Sequence, residues 1–200
     1  VALLLVASSI GVQRKTVDEK FLHSLKSDFN DLFLAVPKAL KTFDEIKRFA
    51  PKFKDATNAL YLGRGTHFPV ALEGALKLKE ISYIHAEGLP AAEMKHGPIA
   101  LIDENMPVVV LAPHDHLYQK ILSNMQEVKA RGGRIIVFAS HRDAVLEKLA
   151  DELVIIPQVS DLLQPIISVI PLQLLAYELA LLRGCDVDKP RNLSKCVSVE

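Results

Sequence analysis

Tryptophan is absent from these 200 residues, cysteine occurs only as Cys185 and Cys196, and neither sign of charge is in excess: 24 Lys and Arg face 24 Asp and Glu. Each absence excludes something. Two cysteines with no CxxC and no Cys/His spacing give neither a disulfide framework nor a zinc site, and they fit a reducing cytoplasm. Zero net charge without a basic stripe removes the electrostatic footprint of a nucleic-acid-binding protein. The apolar opening VALLLVASSI (1–10) has no basic stretch before it and is too short to span a bilayer, so no membrane partner is expected. It reads as the tail of a buried helix whose beginning lies outside this sequence. No low-complexity run interrupts a composition that is 50% hydrophobic and 24% charged, which is that of one packed globular domain with something attached.

What is present falls into two parts. Residues 18–36, DEKFLHSLKSDFNDLFLAV, set Phe21, Leu22, Leu25, Phe29, Leu32 and Phe33 at helical spacing. Pro37 is expected to interrupt, and KALKTFDEIKRFAPKF gives a second short amphipathic helix ending before Pro51. From about residue 55 the pattern changes. NALYLG (58–63), MPVVVLA (106–112), GRIIVFA (133–139) and ELVIIP (152–157) are short apolar runs, the mark of strands buried on both faces. Helical stretches at 67–86, 115–131, 142–150 and 161–183 alternate with them. The expected fold is therefore α/β: a doubly wound, mostly parallel sheet flanked by helices with right-handed crossovers, preceded by a helical segment. In such sheets ligands bind beyond the carboxyl ends of the strands, which directs attention to Gly63, Arg64, Gly65 and Thr66 after the first run.

LEGALKLKEISYIHAE (72–87) reads as one helix. At 100° per residue Ala71, Gly74, Ala75, Leu78, Ser82 and Ala86 share a face of mostly small side chains, with Leu72, Leu76 and Tyr83 flanking it. Glu73, Lys77, Glu80 and Glu87 fall within a wedge of roughly 80°. Such a stripe is either a solvated face with local ion pairs or the wall of a site where a carboxylate beside a lysine moves protons. His96, in the KHGP turn, is either a loop residue or an acid–base group that titrates near neutrality. Lys195 is either a solvated charge near the carboxyl terminus or an amine nucleophile held over the site by a tail that folds back. A Ser/Thr/Gly phosphate cradle is missing: APHDH (112–116) puts Asp115 where phosphate would be repelled, and only Thr66 follows the first run.

The strings GRG…ALEGALKLKEISYIHAE, KHGPIALID, EVKARGG and PLQLLAYELALLRGCDVDKPRNLSK.VSVE resemble the isomerase portion of the glucosamine-6-phosphate synthase family, the isomerizing glutamine–fructose-6-phosphate aminotransferases. The likeness runs the length of the chain and is densest at about 60–102 and 171–200. It implies two tandem sugar-isomerase (SIS) subdomains, of which residues 1–54 would be a helical segment closing a missing first subdomain and linker. Residues 55–186 would be the second SIS domain and 187–200 a carboxyl-terminal active-site loop. By this resemblance Glu80 is the general base between C1 and C2 of the sugar and Lys77 assists it. Lys195 forms an imine with the C2 carbonyl of fructose 6-phosphate, with Ser194 beside it in the substrate site where an alanine is common. His96 serves ring opening from the neighbouring subunit. The implied partners are fructose 6-phosphate and glucosamine 6-phosphate, the glutaminase domain of the full-length enzyme, and a second copy in a homodimer. No organic cofactor and no metal are implied. GLPAAE (88–93) departs from the family's commoner form. The competing readings are a stand-alone SIS phosphosugar-binding regulatory module, which would need the missing Ser/Thr loop, and an inert dimerising scaffold.

Overall fold

Burial of the short apolar runs on both faces shapes the fold of the computed structural model, which describes residues 1–193. Five strands, β1 (Asn58–Gly63), β2 (His85–Pro90), β3 (Pro107–Ala112), β4 (Arg134–Ala139) and β5 (Glu152–Ile155), form one sheet in the order β2-β1-β3-β4-β5. Every neighbouring pair is parallel. Seven α-helices are described: α1 (Ala2–Gln13), α2 (Glu19–Leu40), α3 (Phe43–Phe49), α4 (His67–Ser82), α5 (Tyr118–Lys129), α6 (Ala144–Leu149) and α7 (Gln164–Leu182).

Successive side chains of a strand point to opposite faces, and in the central strands both faces are covered. Tyr61, Val109, Leu111, Ile136 and Phe138 pack with residues of α2, α3, α4 and α7. Leu60, Leu62, Val108, Val110, Ile135 and Val137 pack instead with Tyr118, Ile121, Met125 and Val128 of α5 and Leu146 of α6. The uninterrupted apolar runs therefore follow from a sheet with helices on both sides. α7 is the one described helix long and apolar enough to cross a membrane. Its Ile167, Leu172, Leu175 and Leu179 are buried in the first of these cores, so its apolar character has a structural cause.

Three expectations change. The stretch 72–87 is not one helix: α4 ends at Ser82, Tyr83 takes a left-handed conformation (φ 62°), and His85–Pro90 pairs beside β1 as an edge strand. With no run of β-branched residues, HAEGLP gives no strand signal, and its pairing comes from β1. Glu87 therefore leaves the charged stripe, and Ala86 is buried from a strand rather than from the helix. Second, α2 continues through Pro37 to Leu40, since Leu32, Ala35 and Ala39 on either side of the proline are buried together. The break comes at Thr42, whose hydroxyl donates to the Ala39 carbonyl at 2.7 Å. Third, the opening segment is helical but largely uncovered: Leu3 is 85% exposed, and of α1 only Ser8 and Gly11 are buried.

The topology sets where sites can form. The chain leaves β1 through α4 to β2 on one side, then crosses to β3 on the other, so the switch point opens at the carboxyl ends of β1 and β3. α4 starts at that carboxyl edge and runs back to the amino edge.

Candidate active site

α4 is placed by two glycines that allow close approach. A side chain on Gly63 would put its Cβ 2.1 Å from the His67 carbonyl oxygen, inside the turn that starts the helix. A Cβ on Gly88 of β2 would lie 2.6 Å from Leu72 Cα, so the edge strand touches the backbone of α4. The face expected to pack inward does so: Ala71, Gly74, Ala75, Leu78 and Ser82 are buried. Leu72 and Leu76, the expected flanking wall, are exposed by 45% and 42% and border the charged stripe.

On that stripe Lys77 Nζ donates to Glu80 Oε2 at 2.5 Å and lies 3.9 Å from Glu73 Oε1. The Lys77 and Glu80 side chains are about 30% exposed, half covered but open to a ligand (32% and 27%). The hydrogen bond to Glu80 is the largest influence on Lys77 and raises its pKa; desolvation opposes this, and the charges of Glu80 and Glu73 add to it. Lys77 is thus held as an ammonium against the Glu80 carboxylate.

The position of this pair departs from expectation. The start of α4 borders the switch-point crevice, but Lys77 and Glu80 lie ten and thirteen residues further on, about 15 and 20 Å along the helix axis. They stand at the amino edge of the sheet. His96 ends the 3₁₀ turn Ala91–His96 that follows β2, at the opposite, carboxyl edge. Its ring is 68% exposed, 3.8 Å from Glu93 Oε2. One chain therefore joins Lys77 with Glu80 and keeps His96 away from both. Lys195 and Ser194 lie outside the described residues.

The approach to them is described. After α7, Arg183 donates to the carbonyls of Ser82 (2.9 Å) and Lys54 (2.6 Å), and the chain turns at Gly184. The Arg191 N–H donates to the Tyr83 hydroxyl at 3.0 Å, and its guanidinium sits 4.1 Å from the centre of the Tyr83 ring. The segment after 184 thus returns to the end of α4, one helical turn from Glu80. Beneath it opens a cleft of about 790 Å³ at the amino edge, lined by Lys54, Ser82, Tyr83, Arg183, Asp186 and Arg191 among others. Tyr83 and Arg191 were visible in the sequence as ISYIHAE and PRN, but nothing in either string shows that they meet.

Several polar groups of the carboxyl-edge crevice are already paired with one another. Arg64 Nε donates to Asn124 Oδ1 at 3.0 Å, which ties its charge to α5. His67 is buried with Nε2 3.0 Å from Ser168 Oγ; burial lowers its pKa, and the charges of Asp115 and Asp161 work the other way. Asp115 Oδ1 accepts from the Leu117 N–H at 2.8 Å, so the carboxylate that would repel phosphate fastens its own loop. The rings of His114 and His141 lie 4.2 Å apart, against Tyr118. Tyr118 donates to Asp143, which also caps α6. Among the described residues no group of three or more His, Cys, Asp or Glu side chains is arranged to hold a metal.

The SIS domain family matches residues 52–183. A glutamine–fructose-6-phosphate aminotransferase (isomerizing) of Chlorobaculum tepidum is 65% identical over 161 residues, 80% of this chain and 26% of its own length. The protein of the same description from Bacteroides thetaiotaomicron is 50% identical over 99% of this chain and 32% of itself. The chain thus spans about a quarter to a third of the length of the curated relatives it matches. A solved structure, the C-terminal domain of glucosamine-fructose-6-phosphate aminotransferase from Francisella tularensis, is 40% identical with a TM-score of 0.87. The match covers 94% of this chain and 53% of that one.

Proposed function

The chain belongs to the SIS domain family, and from that premise we propose that it supplies half of an isomerase acting on fructose 6-phosphate, as part of a glutamine–fructose-6-phosphate aminotransferase. The observation that carries this reading is the Lys77–Glu80 pair, a carboxylate held by a single short ammonium contact in a half-covered setting. Its place at the amino edge, away from the crevice of its own sheet, supports a sugar site completed by groups from outside residues 1–193. The absent phosphate cradle supports the same division of labour.

In the proposed reaction the Lys195 amine adds to C2 of the open-chain ketose, and loss of water leaves an imine. Ammonia, supplied by a glutaminase domain, exchanges with the lysine, so nitrogen stays at C2. The C=N bond acidifies the C1 hydrogens; Glu80 takes one, the C1–H electron pair forms a C1=C2 bond, and the C=N pair moves to nitrogen, which takes up a proton that balances the one the C1 hydroxyl gives up later. Glu80 returns the proton to C2, the C1 hydroxyl loses its proton, and C1 becomes an aldehyde. C1 is oxidised as C2 is reduced, so no external redox partner is consumed. Lys77 keeps its proton and holds the Glu80 carboxylate in place. His96, on the far edge of its own chain, serves ring opening in the site of a second copy, which makes the active species a homodimer.

The test is hydrogen exchange at C1. In D2O the longest natural protein that carries this sequence should wash C1 hydrogen out of fructose 6-phosphate. Glu80→Gln should slow this by about 10²–10⁴, the range for loss of a general base. Exchange by Glu80→Gln at the wild-type rate would remove Glu80 from the reaction.

A further inference from the structure

We propose that Tyr83 and Arg191 form a clasp that sets the position of the tail bearing Lys195 against the end of α4, which makes Tyr83 a positioning residue. The inference rests on the reading of Lys195 as the imine-forming lysine.

Tyr83 occupies a left-handed conformation, φ 62°, at the helix end where glycine or asparagine is the unstrained choice. Its side chain faces the returning tail. Two different parts of Arg191 meet it: the backbone N–H donates to the hydroxyl at 3.0 Å, and the guanidinium stacks on the ring at 4.1 Å. One contact would tether the tail; two, from main chain and side chain, also orient it. The segment between α7 and Arg191 is braced independently. Arg183 holds the carbonyls of Ser82 and Lys54. Asp186 Oδ1 accepts from the N–H groups of Asp188 (3.0 Å) and Lys189 (3.1 Å).

The consequence is one of reach. Lys195 follows Arg191 by four residues, at most about 14 Å of extended chain. Tyr83 follows Glu80 by three helical residues, a rise of about 4.5 Å. With the clasp closed, chain length alone limits how far Lys195 can lie from Arg191, and so from the end of α4. With it open, the next contact back to the helices is that of Cys185, whose N–H donates to the Ala180 carbonyl at 2.9 Å, and the span to Lys195 lengthens from four residues to ten. Local concentration falls roughly as the −3/2 power of tether length, so the amine is diluted about fourfold at the site, before any loss of orientation.

The experiment compares wild type with Arg191→Ala, Arg191→Lys, Tyr83→Phe and Tyr83→Leu in the longest natural protein that carries this sequence. Peptide-level deuterium uptake is read over 184–200 and, as a check on the fold, over β3 and β4. Borohydride trapping of the Lys195 imine is timed against fructose 6-phosphate concentration. Arg191→Ala should speed uptake in 184–200 alone and cut the maximal trapping rate about fourfold or more, with half-saturating sugar unchanged. Arg191→Lys and Tyr83→Phe, which keep a cation or a ring, should recover part of that rate; a contact that merely stabilises the fold would show no such rescue. Tyr83→Leu should match Arg191→Ala, and if it does not fold, Arg191→Ala decides alone. Wild-type uptake over 184–200 in Arg191→Ala, or an unchanged trapping rate, overturns the clasp. If the wild type yields no Lys195 adduct, the imine reading fails, and uptake alone then decides the clasp.

Discussion

Gly88→Ala tests how α4 is held, because everything assigned to Glu80 depends on that helix lying where it does. The added Cβ would meet Leu72 Cα at 2.6 Å, Leu72 N at 2.7 Å and Ala71 C at 2.9 Å. These are backbone atoms of a packed helix, so no side-chain rotation relieves the contact, and either β2 or α4 must move. Overpacking of this kind costs about 1–3 kcal/mol, and a backbone clash belongs at the upper end. For a domain of this size about 3 kcal/mol corresponds to a fall in Tm of roughly 6–12 °C. Gly74→Ala is the comparison. Its Cβ would lie 2.6 Å from Leu172 Cδ1, the end of a flexible side chain, and 2.9 Å from Tyr61 Cε1. There the strain is offset by about 1 kcal/mol of helix propensity, and the net change should stay under about 1 kcal/mol. Calorimetric unfolding should therefore place Gly88→Ala well below Gly74→Ala, with slower C1 exchange as α4 shifts. Equal melting temperatures, or the reverse order, would refute the argument that β2 seats the helix.

Burial lowers the pKa of His67 from its ordinary 6.5. The unfolded chain then takes up a proton that the folded one resists, so stability is full above about pH 6.5 and falls as pH drops through the lowered value. His67→Gln should flatten that part of a denaturation-midpoint profile; an unchanged slope would shift the cause elsewhere. Asp143 accepts from the N–H groups of Val145 and Leu146, and its pKa is lowered first by the Tyr118 hydroxyl and then by these backbone donors. Asp143→Ala should cost about 1–2 kcal/mol in urea unfolding at neutral pH, as loss of a helix cap does. A depressed carboxyl pKa adds stability above its ordinary 3.8, so the difference should shrink as pH falls through the acid range; a constant difference would contradict the capping role. Lys77→Met should slow C1 exchange less than Glu80→Gln does, because it removes the partner that holds the carboxylate and leaves the base itself. A larger loss for Lys77→Met would reverse the two roles.

Much of the architecture was legible because burial on both faces leaves a plain mark. PVVVLA is apolar throughout, NALYLG and RIIVFA are so after their first residue, and all three are central strands. HAEGLP was not legible, since an edge strand needs no continuous apolar run and its neighbour β1 supplies the pairing. The charged stripe was readable by angle as far as Glu80. Beyond it the helical arithmetic failed, because a tyrosine rather than a glycine takes the left-handed position and gives no stop signal. The Lys77–Glu80 contact follows from i,i+3 spacing on one helix. Its distance from the switch-point crevice does not, because that requires the direction of α4 relative to the sheet. The Arg191–Tyr83 contact joins residues 108 apart and had no local signature.

The central claim is that the sugar site forms at the amino edge of the sheet, around the end of α4 and the returning tail. The most direct test is the footprint of fructose 6-phosphate in amide deuterium exchange on the longest natural protein that carries this sequence. The account predicts slowed exchange over residues 76–83 and 184–200, with the loops at 63–67 and 113–118 unchanged. Protection confined to those two carboxyl-edge loops would contradict it, and would put the ligand in the crevice that Arg64, His67 and Asp115 line.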